Sequence, residues 1–263
     1  LEAVRQPLRF QLWIHLVMPS FRYWLSVCSP TRHGVLSASS AAMAAIISHE
    51  LRTPVSAFRA GAQMMVDTLA QWRAQGPRPD LWVFAYASLV WRPEFEAAEQ
   101  RPARVQGYHR CLEMWSRVNR GTYECPGLVF ALMAGGSCNG LALRVPHEQV
   151  EALMPVLWAR EMPNPVYDPK WLRCHTPQGP VTALAFTLSR QSPSHTGTLS
   201  EERYREIFAR SCGRYGTTLD YARRTFEGLL HHGIHDRALQ KLLQLADDPT
   251  VPPATHPAPI LPA

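Results

Sequence analysis

At 263 residues the chain has room for one ordinary domain with extensions, or for two small ones. An apolar fraction of 46% against 18% charged residues excludes wholesale disorder. Residues 1–80 carry eight basic and four acidic side chains, and residues 81–248 nineteen and seventeen, so the main body is nearly neutral and offers no electrostatic grip on nucleic acid.

Residues 1–65 read as an N-terminal extension, poorly ordered or loosely helical. Leu12–Met18 is too short and too interrupted, by His15, to span a bilayer, so no membrane partner is expected. Residues 41–75 show helical character in two pieces parted near Pro54. Between them, Ser48-His49-Glu50-Leu51-Arg52-Thr53-Pro54 resembles the phosphoacceptor box of sensor histidine kinases. No Asp-x-Gly-x-Gly segment follows to bind ATP, so phosphotransfer is not expected. Gln75–Asp80 is a turn or linker.

Residues 66–248 form the predicted main domain. Trp82–Trp91 is an apolar run relieved by Ser88, a buried strand or strand-to-loop. Phe95–Glu99 reads as a short helical turn, and Arg104–Val118 as one or two strands. Leu128–Met133 and Gly140–Val145 read as a hairpin turning at Ala134-Gly135-Gly136-Ser137. Residues 147–161 are a predicted helix. Leu172–Cys174 and Val181–Leu188 are strands, and Ser200–Cys212, Thr218–Leu230 and Asp236–Ala246 are helices. Strands come first and most helices last, which favours an α+β fold. From Pro249 onward six of fifteen residues are Pro, the composition of a disordered tail. Cys28, Cys111, Cys125, Cys138, Cys174 and Cys212 form no C-x-x-C pair and read as reduced thiols of a cytoplasmic protein.

Three constellations carry possible chemistry. Ala85, Ala87 and Ser88 place small side chains mid-run, where a ligand can approach backbone N–H groups; tight packing against a neighbouring strand explains them equally. In the helix after Pro146, the apolar face of Val150, Leu153, Met154 and Leu157 also takes in Glu161, within about 20° of Val150. Glu148, Glu151 and Arg160 fall off that face. Burial and the C-terminal end of the helix dipole both push a carboxyl pKa upward, which suits a general base; the alternative to a catalytic role is a structural ion pair of Glu161 with any Arg, such as Arg117 or Arg120. Arg117-Val118-Asn119-Arg120-Gly121 could hold a carboxylate, or simply be a solvated turn. His231, His232 and His235 are parted by Gly233 and joined by no other ligand type, so no metal is expected.

The main domain resembles the ChaC family of γ-glutamylcyclotransferases. The likeness rests on Trp82–Trp91, Pro102-Ala103-Arg104, Gly107-Tyr108-His109-Arg110, Trp115-Ser116, Arg120-Gly121 and Pro126-Gly127-Leu128-Val129. It continues through Trp158-Ala159-Arg160-Glu161-Met162, Tyr167, Trp171-Leu172 and Gly233-Ile234-His235-Asp236. The resemblance implies a small mixed β-barrel with flanking helices. It implies an enzyme without cofactor that converts glutathione to 5-oxoproline and Cys-Gly, working as a monomer. It maps the catalytic glutamate onto Glu161 and the γ-glutamyl-binding loop onto Tyr86-Ala87-Ser88-Leu89, where Ala87 replaces a usual Gly. Val83, Phe84, Ala85, Arg120 and Tyr167 complete the expected substrate-binding set. A start at Met64 or Met65 is expected to leave this core intact.

Overall fold

The computed structural model describes residues 59–163 and 165–247. The Ser48–Pro54 string, the helical piece before Pro54 and the Pro-rich tail lie outside the described residues. Helix α1 covers residues 59–73. Seven strands follow, β1 (Leu81–Ala85), β2 (Glu99–Ser116), β3 (Gly127–Val145), β4 (Asp168–Thr176), β5 (Gly179–Thr187), β6 (Cys212–Gly213) and β7 (Gly216–Thr217). Between them run α2 (Ser88–Trp91), α3 (His147–Glu161) and α4 (Glu201–Arg210), and after β7 come α5 (Thr218–His231) and α6 (Arg237–Gln244). The order β1-β3-β2-β4-β5 closes into a barrel, because β1 pairs antiparallel with β3 and parallel with β5. The α+β reading and the small mixed barrel are both observed. Closure is narrow: β2 meets β4 through two residue pairs, Arg104–His175 and Val105–Cys174.

By register Leu81, Val83, Leu141, Leu143 and Leu184 share one face of the barrel wall and Phe84 and Ala183 the other, and all are buried. Val83 pairs with Leu143 on one side and Leu184 on the other. Gly140 is required where β1 ends against β3. A Cβ there would lie 2.3 Å from the Ala85 carbonyl oxygen and 3.0 Å from the Phe84 ring.

Two local readings change. The expected hairpin at Ala134–Ser137 does not exist: β3 runs unbroken for 19 residues beside β2, and the turn between them lies at residues 117–126. The glycines instead form a bulge. Tyr108 pairs with Ala134 and Gln106 with Ser137, so Gly135 and Gly136 together oppose Gly107. All three have positive φ, at 108°, 71° and 82°, which lets a long ribbon bend without ending. The short helix at Phe95–Glu99 is also absent. Glu94 has φ of 60°, Ala98 N–H donates to the Arg144 carbonyl at 2.9 Å, and Glu99 opens β2, so the segment is drawn onto the sheet.

Helix α3 buries Val150, Met154, Leu157 and Trp158, and Pro155 sits on its exposed face, where the helix runs through it. Helix α1 packs Trp72 into the core, 1% exposed. Its Gly61 carbonyl accepts the Trp158 indole N–H at 3.0 Å. A start at Met64 therefore removes the partner of a buried donor on the same helix as Glu161, which is a cost the sequence did not reveal.

Candidate active site

The run Trp82–Trp91 divides at Tyr86. Val83, Phe84 and Ala85 belong to β1, fully buried in the barrel wall, with β3 partners Leu143, Ala142 and Leu141. The chain then leaves the sheet, and Ser88 opens the one-turn helix α2, which buries Leu89 and Val90. Ala87 has φ of −140°, so it is not in the left-handed region, and alanine in place of glycine meets no obstacle of that kind. Trp91 ties α2 to α5 by an indole N–H to Thr225 Oγ1 at 3.2 Å.

Glu161 is the last residue of α3. Its side chain is 16% exposed, enclosed by protein but not sealed from solvent. Burial raises its pKa above the ordinary 4.5, Arg160 acts to lower it, and Glu94 raises it. The helix C-terminus opposes its charge in the same direction as burial. Tyr86, Tyr167 and Tyr221 all lie within electrostatic reach of this carboxylate. Burial drives all three phenols above their usual range, so they are neutral donors at ordinary pH. Tyr86 Oη donates to the Phe186 carbonyl at 2.9 Å, and the Tyr167 phenol shares a hydrogen bond with Tyr86.

The partner of Glu161 is neither Arg117 nor Arg120. It is Arg160, whose Nε donates to Glu161 Oε1 at 2.9 Å. Arg160 Nη2 donates to Ser88 Oγ at 3.1 Å, and Nη1 lies 3.2 Å from Glu94 Oε2. Glu94 in turn pairs with Arg92 at 3.0 Å. The side chain of Arg160 is 13% exposed, so it faces inward with Glu161 rather than off the helix face. The sequence carried a signal for this. Arg160 lies about 20° beyond Leu153 on the helical wheel, close enough for a long stem to reach round. Taking Leu153 as the rim of the face, rather than its interior, hid it.

The structure thus joins Glu161, Tyr86, Ser88 and Tyr167 in one constellation, with Ala87 between Tyr86 and Ser88. Arg120 is placed differently. It is 6% exposed, donates through Nη1 to the Tyr215 carbonyl, and holds its guanidinium 4.8 Å from the Tyr221 ring centre. These contacts fasten the β2–β3 turn to the start of α5. Missed by the sequence reading were Arg160, Glu94 and Tyr221, together with the pair Arg110–Asp236 behind the loop.

An enclosed carboxylate with a raised pKa, beside a small-residue loop and neutral phenols, is suited to taking a proton from a weakly acidic group and returning it. Among the described residues no group of three or more His, Cys, Asp or Glu is arranged to hold a metal.

The family model described as "ChaC-like protein" matches residues 81–248. The glutathione-specific gamma-glutamylcyclotransferase of Escherichia coli (strain K12) is 31% identical over 183 residues, covering 69% of this chain and 78% of that protein. Glutathione-specific gamma-glutamylcyclotransferase 1 of Homo sapiens is 34% identical over 161 residues, covering 57% and 72%. Among solved structures, a glutathione-specific gamma-glutamyl cyclotransferase from yeast superposes with a TM-score of 0.58 at 18% identity, covering 64% of this chain and 96% of that one, a likeness of fold. The chain belongs to the ChaC-like family.

Proposed function

We propose that this chain is a γ-glutamylcyclotransferase that cleaves glutathione to 5-oxoproline and Cys-Gly, with Glu161 as the proton-transfer residue. The observation that carries the assignment of Glu161 is its enclosed carboxylate at the end of α3, hydrogen-bonded by an arginine that also holds Ser88 of the loop. The substrate class rests on the relatives, which are named as glutathione-specific over most of their length.

The α-amine of a γ-glutamyl unit is an ammonium at neutral pH and cannot attack. Glu161 takes one proton from it. The free amine then forms a bond to its own γ-carbonyl carbon, and a five-membered lactam begins to close. The carbonyl oxygen gains negative charge, which N–H groups of the Tyr86–Ser88 loop stabilise, each good donor contributing about 3 kcal/mol. Glu161 returns its proton to the departing nitrogen, the ring nitrogen gives its second proton to water as the carbonyl re-forms, the former amide C–N bond breaks, and Cys-Gly leaves as the free amine. Attack is intramolecular, so the protein's chief task is to hold one folded conformer of the substrate. No electron or group carrier enters the balance.

The raised pKa matters to both halves. An ordinary carboxylate is too weak a base for an ammonium and, once protonated, too strong an acid to linger. Desolvation brings Glu161 closer to neutrality and makes each transfer less uphill.

The test is incubation with glutathione, following 5-oxoproline and Cys-Gly by mass spectrometry. Stoichiometric release of both supports the reading. Release from γ-glutamyl-alanine but not from glutathione moves the substrate to another γ-glutamyl amide. No 5-oxoproline from either overturns the assignment.

A further inference from the structure

Two of the sequence motifs have no part in the chemistry just described: Gly107-Tyr108-His109-Arg110 on β2 and Gly233-Ile234-His235-Asp236 before α6. Their last residues meet. Arg110 binds Asp236 Oδ2 through both Nε, at 3.1 Å, and Nη2. Its remaining nitrogen, Nη1, donates to the Tyr86 carbonyl at 2.8 Å and to the Asn139 carbonyl at 3.1 Å. The side chains are 3% and 18% exposed. Asp236 is itself anchored, since its other oxygen caps α6 by accepting the Leu239 N–H at 2.9 Å. One guanidinium therefore links β2, β3, the end of β1 and the N-terminus of the last helix.

We propose that Arg110 and Asp236 are positioning residues that fix the Tyr86–Ala87 peptide, and through it the N–H groups of the proposed oxyanion-binding loop. A trans peptide is planar, with its C=O and N–H opposed. Holding the Tyr86 oxygen toward Arg110 sets the direction in which the Ala87 N–H points. The Tyr86 carbonyl follows the last strand residue, Ala85, so the sheet does not hold this peptide for the clamp. A Lys at 110 supplies charge but not the planar fork that engages Asp236 and two carbonyls at once. An Asn at 236 keeps a capping oxygen but loses the charge that orients the fork.

The inference rests on the proposed cyclotransferase reading, and the experiment separates the two. Wild type, Asp236→Asn, Arg110→Lys and, as a control, Ser200→Ala are compared with glutathione well below their melting temperatures. Ser200 caps α4 by accepting the Arg203 N–H, away from the loop, so its loss destabilises a helix without touching the clamp. Because the oxyanion exists only in the transition state, clamp variants lose about tenfold in kcat while KM stays within about threefold, and Ser200→Ala keeps wild-type kcat. In parallel, amide hydrogen exchange of the Tyr86–Trp91 segment is measured by mass spectrometry without substrate, and it accelerates in the clamp variants alone. If one clamp variant fails to fold, the other is read by the same criteria. Unchanged kcat and exchange in the folded clamp variants overturn the proposal. So does an equal loss in Ser200→Ala, which reduces the effect to stability. If wild type releases no 5-oxoproline, the functional reading fails, and the exchange rates still decide whether the clamp sets the loop.

Discussion

Glu161 and Asp236 are both largely buried carboxylates paired with an arginine, and their pKa values move in opposite directions. For each, burial is the largest influence and pushes upward. At Asp236 it is overcome, because Arg110 and the N–H groups of Leu239 and Ala238 hold the carboxyl below its ordinary value. At Glu161 it prevails, because Arg160 alone opposes it, Glu94 adds to it, and no backbone N–H assists. Helix ends reinforce the contrast. Asp236 caps an N-terminus, where negative charge is favoured, and Glu161 ends α3, where it is opposed. A fully compensated carboxylate is an anchor. An undercompensated one is a base in waiting. Ala87 lies between them, with the preceding carbonyl held by Arg110 and the following hydroxyl held by Arg160.

The largest expected effect tests the functional half of the contrast. Glu161→Gln keeps the shape but cannot accept a proton, so kcat falls by about 10²–10⁴ with the fold intact. Steady-state assay with glutathione and a thermal melt check it. Asp236→Asn, by comparison, retains measurable turnover. If the two variants are equally inactive, the division into base and anchor is wrong.

Ala87 is next. It is 8% exposed between two held neighbours. The β-branch of Ala87→Val crowds the loop between Tyr86 and Ser88 and lowers kcat/KM by at least about tenfold. Ala87→Gly stays within about threefold of wild type, since Gly is smaller and reaches the observed φ of −140° and ψ of −122° at least as freely as Ala. A fully active Val variant would place the substrate elsewhere.

Arg160 sharpens the electrostatic half. Arg160 lowers the Glu161 pKa, so removing its charge in Arg160→Met lets that pKa rise further. Activity requires ionised Glu161 in the free enzyme. The acidic limb of kcat/KM therefore moves to higher pH in the variant, with loss of about tenfold on the acid side and less at alkaline pH. A limb that stays in place would mean that another group sets it.

The helix ending at Glu161 and the three C-terminal helices were legible because each rests on local period and capping, as with Ser200, Thr217 and Asp236 at their helix starts, whereas the barrel came only from the family resemblance, since its closure joins Val83 to Leu184 across the chain. The β3 bulge was misread because Gly135-Gly136 has the composition of a turn, and the opposing Gly107 that converts it into a bulge lies on another strand. Glu161 could be found from helical phase. The partners that tune it could not, because Glu94 and Ser88 reach it through the tertiary fold. Arg120 was assigned to substrate from its neighbours in sequence, whereas Tyr215 and Tyr221, almost a hundred positions away, occupy its guanidinium.

The smallest effect follows from the sign of the Glu161 shift. A carboxyl whose folded pKa lies above its unfolded value contributes stability that is full below the unfolded pKa and lost as pH rises through the folded one. Below the ordinary value of 4.5 the carboxyl is neutral in both states, and Glu161→Gln melts close to wild type. As pH rises, wild type must keep a charge in an enclosed site that the unfolded chain hydrates freely, whereas the amide bears no such cost. The melting temperature of Glu161→Gln relative to wild type therefore climbs from acid toward alkaline pH and levels off above the folded pKa. At Asp236 the sign reverses: its stabilising share is present at neutral pH and lost on acidification. Melts of wild type, Glu161→Gln and Asp236→Asn across the same pH series read both slopes. A Gln variant that is less stable than wild type at alkaline pH would show that Arg160 satisfies Glu161 in full, and the two carboxylates would then be alike.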